Sequence, residues 1–349
     1  MEIGKREPNT YDTAKGIGIL LMVMGHSGFK KSFEVFIYGF HMPFFFVLAG
    51  MLYDQAVWEK RGFAALARKR WRSYIAPYFV LSGINLVLNG IHEIVKYKEF
   101  EEWLKSQVLH TGWIVFANGN GSETPHCTPL WFLPCLFLSC LILYWLLQLR
   151  PVGQAVMCLV LFGVNRMFHM MIPGSRTMPW HLDVACVGAV LMLVGYYIKS
   201  CGCLRYTQKR PWTMPVFLLA GMWIDKMCGG GVALASNTIR YPAAMLLCSA
   251  CMTIGIVSLS QKLYSTAIGR FFGFCGQSTL IFMGFNYFLN TVMSIIWRVL
   301  PVLNEYKFQG GFNFISVTTG LLLISLVWEK VRPHLNRAYC RGREWIESV

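Results

Sequence analysis

Long apolar runs recur along the whole chain, and they constrain its fold more than any other feature of the sequence. The chain has 349 residues, of which 55% are hydrophobic and only 14% are charged. A soluble protein carries about 25% charged residues. A helix needs about 20 apolar residues to cross a bilayer. We therefore predict an all-α, polytopic membrane protein with about ten transmembrane helices around a central polar cavity.

The predicted spans fill nearly the entire sequence, so we expect a single membrane domain over residues 1–349. The ten segments are 13–29, 33–54, 74–91, 129–148, 152–173, 179–198, 213–229, 240–260, 276–299 and 311–329. The first and the seventh are short or interrupted. The longest loop, 92–128, is placed outside as a lid or a short interfacial helix, and residues 330–349 form a basic cytoplasmic tail. The basic segment 59–77 fits a helix lying along the cytoplasmic interface.

The net charge of +15 is distributed as in a membrane protein rather than as in a nucleic-acid-binding protein. About two thirds of the Lys and Arg residues fall on the side that a cytoplasmic N-terminus would face. This basic side suits anionic lipid or an anionic cytosolic ligand. We expect membrane lipid as a partner, and no nucleic acid.

The twelve cysteines predict neither a disulfide framework nor a metal site. Most of them fall inside the spans, where cysteine behaves as a small apolar residue. Cys201 and Cys203 lie in a predicted cytoplasmic loop, where thiols stay reduced. The sequence around them contains no cluster of further ligands, so we expect no metal.

His26 interrupts the first apolar run, and an ionisable group inside a membrane is costly and usually functional. Lys15 lies eleven residues earlier, which places both side chains on one helical face, about 16 Å apart along the axis. Asp12 can join the same stripe. The alternative interpretation is that Lys15 snorkels to the interface and His26 is a polar residue of helix packing.

His41 adds a second imidazole among phenylalanines of the second span. The first two spans are joined by a short turn, so His26 and His41 can approach each other at similar depth. Pro43 then interrupts backbone hydrogen bonding, and Gly50 permits a close helix approach. These features favour a polar pocket within the membrane.

Several blocks of the sequence resemble the integral-membrane acyltransferase family three, whose members O-acetylate bacterial sugars and polysaccharides. The specific blocks are the basic residue, ten residues and histidine from Lys15 to His26, followed by "FHMPFFFVLAGML". The basic cluster Arg68, Lys69, Arg70 and Arg72 before "YIAPY" also matches. The segments "PLWFLPCLFL" and "WHLDVACVGAVLMLVGYY" are similar to later, less specific family segments.

The resemblance implies transfer of an acyl group, most simply acetyl from acetyl-CoA, to a hydroxyl of a bacterial polysaccharide or lipid-linked sugar. It implies a protein of the bacterial plasma (inner) membrane, and the distribution of basic residues predicts a cytoplasmic N-terminus. His26 would be the general base, and His41 would orient His26 or donate to the oxyanion. The cations Lys15, Arg68, Arg70 and Arg72 would hold the phosphates of coenzyme A.

The acceptor side of the site is less specified by the sequence. Asp183 could bind sugar hydroxyls or fix an imidazole tautomer, and the alternative is an ion pair with His181 or Arg176. Trp131 could stack on a sugar or belong to an interfacial aromatic belt. Asp12 and Asn286 complete the predicted substrate-binding residues.

Asn286 stands where family members often have a histidine, which is a departure from the pattern. An asparagine can hydrogen-bond but cannot exchange a proton near neutral pH. This departure puts more weight on His26 as the base. Two alternatives stay open: a secondary transporter of a small polar or anionic solute, and an inactive relative that acts as a sensor or scaffold.

Overall fold

A computed structural model describes residues 7–94, 99–117, 128–172, 177–229, 232–299 and 309–348. The described residues are almost entirely helical, and one two-stranded antiparallel hairpin, β1 (Val232–Ala233) and β2 (Thr238–Ile239), interrupts them. In chain order the helices are α1 (Thr10–Gly25), α2 (Lys31–Met51), α3 (Gln55–Arg61), α4 (Phe63–Arg70), α5 (Ala76–Glu93), α6 (Phe100–Phe116), α7 (Phe132–Leu146), α8 (Pro151–Met171), α9 (Leu182–Ser200), α10 (Cys203–Lys209), α11 (Thr213–Met227), α12 (Pro242–Leu263), α13 (Ala267–Gln277), α14 (Thr279–Val299) and α15 (Gln309–Ser348).

Eight helical segments among the described residues are long and apolar enough to cross a membrane, which confirms the all-α, multi-pass prediction. They are Lys31–Met51, Phe63–Glu93, Pro129–Leu146, Pro151–Met171, Pro179–Ser200, Pro242–Leu263, Thr279–Trp297 and Gln309–Arg332. The first and the seventh predicted spans correspond to α1 and α11, which have 16 and 15 residues. A helix of 16 residues covers about 24 Å, less than the hydrocarbon thickness of about 30 Å.

The basic segment after α2 differs from the expected interfacial helix. It divides at Gly62, whose φ of 80° ends α3. From Phe63 onward α4, a π-helical turn at Trp71–Ile75 and α5 form one continuous 31-residue segment. In the π turn the Ala76 N–H bonds to the Trp71 carbonyl, directly before Pro77, which has no N–H to donate. The basic cluster therefore belongs to the start of the third span.

The loop after the third span contains α6, which packs against the end of α5. The indole of Trp103 donates to the Gly90 carbonyl at 3.0 Å, and Gln107 donates to the Glu93 carboxylate at 3.2 Å. The exposed face of α6 carries Phe100 and Val108. This arrangement agrees with the short helix expected between the third and fourth spans.

The first helix is held by unusually close backbone contact with α13. A Cβ atom at Gly16 would overlap the Phe272 carbonyl oxygen, and a Cβ atom at Gly276 would overlap the Asp12 carbonyl oxygen. Such approach is possible only without side chains, as in small-residue helix packing in membranes. The expected close approach at Gly50 is also present, because a Cβ atom there would overlap the Met192 carbonyl oxygen of α9.

Candidate functional site

The N-terminal end of α1 joins two of the predicted residues in an ion pair. The Lys15 ammonium lies 2.8 Å from the Asp12 carboxylate. Asp12 also forms a capping box with Asn9, in which each side chain accepts from the other residue's backbone N–H. The carboxylate is nearly buried, whereas the Lys15 side chain is 30% exposed. The structure thus brings Asp12 and Lys15 together, and the charge of Lys15 has a partner within the protein.

His26 caps the other end of α1, and two tyrosines hold its ring. The Tyr38 hydroxyl from α2 donates to the Gly25 carbonyl at 2.7 Å and lies 3.0 Å from His26 Nδ1. A hydroxyl has one proton, and a carbonyl can only accept. Since the Tyr38 proton goes to Gly25, His26 Nδ1 carries the hydrogen and donates to Tyr38. This assignment leaves the lone pair on His26 Nε2.

The second tyrosine, Tyr287 of α14, places its hydroxyl 3.4 Å from the same Nδ1 atom, with ring centroids 5.0 Å apart. Within the described parts of the chain, His26 Nε2 makes no hydrogen bond. A neutral imidazole with its Nδ1 anchored and its Nε2 lone pair unused has the form of a general base.

His41 is buried on α2 and is oriented in the same way. Its Nδ1 lies 2.9 Å from the Ile37 carbonyl, so Nδ1 carries the hydrogen and Nε2 has the lone pair. The Tyr38 ring lies between the two imidazoles, 5.6 Å from His26 and 5.4 Å from His41. The hydrogen bond that orients His26 therefore comes from Tyr38. His41 in its neutral form has no second N–H for an oxyanion.

Asn286 is fully buried on α14, one residue before Tyr287. Its Nδ2 lies 3.8 Å from the sulfur of Met22, which is one turn before His26 on α1. Asn290 donates to both the carbonyl and the side-chain oxygen of Asn286. Among the described residues, α14 thus contacts His26 through Tyr287. Asn286, the position where family members often have a histidine, is the residue before it.

Asp183 is buried in a separate hydrogen-bond network. Its carboxylate accepts from Asn237 Nδ2 at 2.8 Å and from the Met178 backbone at 3.2 Å. Asn165 donates to the Asp183 carbonyl and to Asn237. The network ties α8 and α9 to the hairpin that carries Asn237. None of its contacts involves either site histidine.

Trp131 lies against His181, with ring centroids 4.6 Å apart and an interplanar angle of 41°. Both residues are buried, and the two ring nitrogens of His181 have no hydrogen-bond partner among the described residues. The alternative pairing of Asp183 with His181 is therefore absent, and Arg176 lies outside the described residues. One face of Trp131 is occupied by the imidazole.

The structure divides the basic cluster into two faces. Arg68 and Arg72, four residues apart, are exposed, whereas Arg70 turns toward the protein. Its guanidinium donates to the Tyr74 hydroxyl at 3.1 Å and lies 5.8 Å from the Trp58 ring centroid. The Nε atom of Arg70 is buried and has no hydrogen-bond partner in the part of the chain that the structure describes. No acidic side chain of the described segments pairs with Arg70.

Sequence reasoning missed the two tyrosines that hold His26. Tyr38 lies three residues before His41, so it shares a face of α2 with that histidine, and this spacing is a signal that could have found it. Tyr287 lies next to the predicted Asn286. No group of three or more His, Cys, Asp or Glu residues that could hold a metal ion occurs within the described ranges.

A comparison with protein families agrees with the sequence blocks. The family model described as "Acyltransferase domain" matches residues 9–329, which is nearly the whole chain. No curated protein and no solved structure matches the chain. The matched range includes α1 with His26 and Lys15, the basic cluster, and α14. The chain therefore belongs to the integral-membrane acyltransferase family three.

Proposed function

We propose that this membrane acyltransferase moves an acyl group, most simply acetyl, from acyl-CoA to a hydroxyl of a bacterial polysaccharide or lipid-linked sugar. The observation that carries the proposal is the state of His26. Its Nδ1–H bond to Tyr38 leaves Nε2 as an acceptor at the end of α1. A sugar hydroxyl holds its proton too tightly to react unaided at neutral pH, and an imidazole is suited to remove it.

In the proposed reaction, His26 Nε2 takes the proton of the acceptor hydroxyl as its oxygen attacks the thioester carbonyl. The tetrahedral intermediate collapses with cleavage of the carbon–sulfur bond. The coenzyme A thiolate then takes the proton back from the imidazolium. The products are an ester and the coenzyme A thiol, and His26 returns to its neutral form. While His26 is charged, its Nδ1–H bond to Tyr38 becomes a stronger, charge-assisted hydrogen bond.

We place the coenzyme A phosphates at the basic cluster, and Arg70 is the best-supported contact. It is a cation without an acidic partner among the described residues, and its buried Nε has an unused donor. Arginine binds phosphate through several N–H groups at once. Arg68 and Arg72 would add charge from the opposite helical face. Lys15 would mark the point where the donor enters, with its charge already balanced by Asp12.

The dimensions of α1 support the same arrangement. Lys15 and His26 are separated by eleven residues, or about 16 Å of helix rise. A pantetheine arm is roughly 15–20 Å long, so it could span the distance that this helix rise gives. A donor held at the cytoplasmic end could therefore present its thioester to His26 without leaving the cytosolic side.

We propose that the acceptor approaches from the opposite side, past α6. Trp131 and Asp183 lie near the N-terminal ends of α7 and α9. Asn286 of α14 contacts Met22, which lies one turn before His26 on α1. Of these three residues, Asn286 has the most direct link to His26, because it contacts Met22 of α1 and its neighbour Tyr287 contacts His26 itself. For Asp183 the observed hydrogen bonds favour a positioning role for the α9 end and the hairpin, with any contact to sugar hydroxyls made through that segment.

The chain is a multi-pass membrane protein, and we propose that it resides in the bacterial inner membrane with its N-terminus in the cytoplasm. The basic residues concentrated at one side of the spans support this orientation. The donor would then be cytosolic and the acceptor an exported or lipid-linked glycan. Arg70 at the start of the third span would face the cytosolic half.

The test replaces His26 by Ala and by Gln in cells that otherwise lack the gene, and measures O-acetylation of envelope glycans by mass spectrometry. Loss of a general base should lower the rate by roughly 10²–10⁴-fold. His92→Ala is the matched control, because His92 is an exposed imidazole at the end of α5. Membrane levels of each variant are compared by immunoblot. Near-normal acetylation by His26→Ala at equal protein level would exclude His26 as the base.

A further inference from the structure

A small cavity lies behind α2, away from the face that carries Tyr38 and His41. Its volume is about 10 Å³, room for one group about the size of a water molecule, and it lies between the middle of α2, the last turn of α11 and the first turns of α12. Its lining is mostly apolar, with Ile224, Val232 and Met245 among the contributors. The one charged side chain that lines it is Asp225. A carboxylate in such surroundings needs a hydrogen-bond donor or a positive charge.

Asp225 has no such partner within the described residues. Its side chain is 7% exposed and makes neither a hydrogen bond nor an ion pair with the described chain. Its Oδ1 atom lies so close to the backbone of α2 that a Cβ atom at Gly39 would overlap it. Gly39 also lines the cavity, and its carbonyl lacks the usual helical hydrogen bond because Pro43 has no N–H to donate. Both groups accept hydrogen bonds, so the cavity is suited to a donor.

An open groove continues from this cavity toward the end of the bundle. Its volume is about 490 Å³, and Cys228, Tyr241 and Ala244 line both spaces. Arg240 stands in the groove, exposed, with its guanidinium 5.3 Å from the Tyr241 ring centroid. A carboxylate at the closed end and a guanidinium in the open part therefore lie along one path.

We propose that this path binds the phosphoethanolamine headgroup of a membrane lipid. The ammonium would donate to the Asp225 carboxylate and to the Gly39 carbonyl, since an ammonium has three N–H groups and no acceptor. The phosphate would contact Arg240, which is suited to phosphate oxygens. The apolar residues of the groove, such as Met227 and Pro242, would lie beside the acyl chains.

The chemistry favours this ligand over others. A metal ion needs several ligands, and no metal-binding group of three such residues occurs among the described ones. An anion alone would face the Asp225 carboxylate. A choline headgroup carries the same charge as ethanolamine, but its quaternary ammonium has no N–H to donate. The site should therefore distinguish phosphatidylethanolamine from phosphatidylcholine.

Cys228 provides a native probe, because its thiol side chain lines both parts of the path. The protein in phosphatidylcholine nanodiscs is treated with a cationic reagent, methanethiosulfonate ethylammonium, or an anionic one, methanethiosulfonate ethylsulfonate. The same thiolate attacks either reagent, forming a mixed disulfide and releasing methanesulfinate, so the ratio of the two rates reports the local potential. Mass spectrometry resolves Cys228 from Cys201, the exposed internal reference.

We expect the cation-to-anion rate ratio at Cys228 to exceed that at Cys201 by on the order of tenfold. Asp225→Asn should remove the excess at Cys228 and leave the ratio at Cys201 unchanged. In nanodiscs that contain phosphatidylethanolamine, both reagents should modify wild-type Cys228 more slowly, and Asp225→Asn should lose this protection. Soluble phosphoethanolamine should protect in phosphatidylcholine discs.

Equal charge ratios at Cys228 and Cys201, or equal modification in the two lipids, would overturn the proposal. Protection by glucosamine without protection by phosphatidylethanolamine would also overturn it, in favour of a soluble amino sugar. If Asp225→Asn does not fold, the lipid comparison on the wild-type protein still decides the matter. None of these measurements depends on acyl transfer, so they are separate from the test of the proposed function.

Discussion

The hydroxyl of Tyr38 lies 3.0 Å from Nδ1 of His26 and is oriented by its own bond to the Gly25 carbonyl. A single proton on the hydroxyl determines which nitrogen of the imidazole carries hydrogen. The relationship joins α1 to α2 and leaves His26 Nε2 as the acceptor. In the proposed reaction, Tyr38 thus has the orienting role that a carboxylate fills in a catalytic triad, but without a charge.

Tyr38→Phe should lower kcat while leaving KM for the acyl donor nearly unchanged. The variant keeps the ring but removes the oxygen that accepts from His26 and donates to Gly25. A hydrogen bond contributes about 1 kcal/mol, and such a loss in the transition state slows the reaction by about fivefold. The measurement is acetyl transfer by the reconstituted protein at varied acetyl-CoA concentration.

Tyr287→Phe is the matched control for the Tyr38 variant. Its hydroxyl is 3.4 Å from the same nitrogen, a longer and weaker contact. Its loss should therefore slow kcat less than the loss of the Tyr38 hydroxyl. A larger effect at Tyr287 than at Tyr38 would contradict the proton assignment on His26.

Arg70→Ala should raise KM for acetyl-CoA more than it lowers kcat. A phosphate contact far from the thioester binds ground and transition states about equally. Hydrogen bonds to charged groups contribute about 1.5–3 kcal/mol, so a change of roughly tenfold or more is expected. Arg61→Ala is the charge-matched control, because Arg61 is exposed at the end of α3.

Arg68→Ala and Arg72→Ala should change the donor KM less than Arg70→Ala does. Both side chains are exposed, where solvent and salt screen their charges. If all three arginine variants and Arg61→Ala have the wild-type KM, the cluster serves orientation in the membrane and not donor binding.

Gly16→Ala should destabilise the protein, because the added methyl group would overlap the Phe272 carbonyl oxygen across the α1–α13 contact. Overpacking of this kind costs about 1–3 kcal/mol. Gly163→Ala is the control: it is a glycine inside α8 with no atom within 4 Å of its added Cβ. Alanine is the better helix former by about 1 kcal/mol, so this control should be neutral or stabilising. Thermal unfolding in detergent measures both, and equal midpoints would argue against the close α1–α13 packing.

The proposed orientation predicts which thiols an impermeant reagent reaches in intact cells. Native Cys201 and an engineered Ala64→Cys should be shielded, whereas Lys105→Cys on α6 should react. All three positions are exposed in the structure, so accessibility depends on the side of the membrane. Thr207 is a poorer reporter of the same loop, because it is buried and bonded to Ser258 at 2.7 Å. The opposite labelling pattern would show that the orientation is inverted. A cytosolic donor could then not reach Arg70.

The sequence by itself determined the fold class and most spans, whereas the shared face of His26 and Lys15 stays a prediction. Each of these follows from local properties: hydropathy over about 20 residues and the 3.6-residue period of a helix. The lengths of α1 and α11 and the continuation of α4 into the third span were not determined. These features depend on packing against neighbouring helices and on how the π turn provides hydrogen bonds for the backbone N–H and carbonyl groups.

Only the tertiary structure decided which side chains meet. Tyr38 and Tyr287 reach His26 from two other helices, and Asn237 reaches Asp183 across 54 residues of sequence. Asp225 contacts the backbone of α2 at Gly39, and the sequence of neither helix alone predicts this contact. A hydrogen-bond partner is selected by distance and direction between separate helices, and a one-dimensional pattern of polarity contains neither quantity.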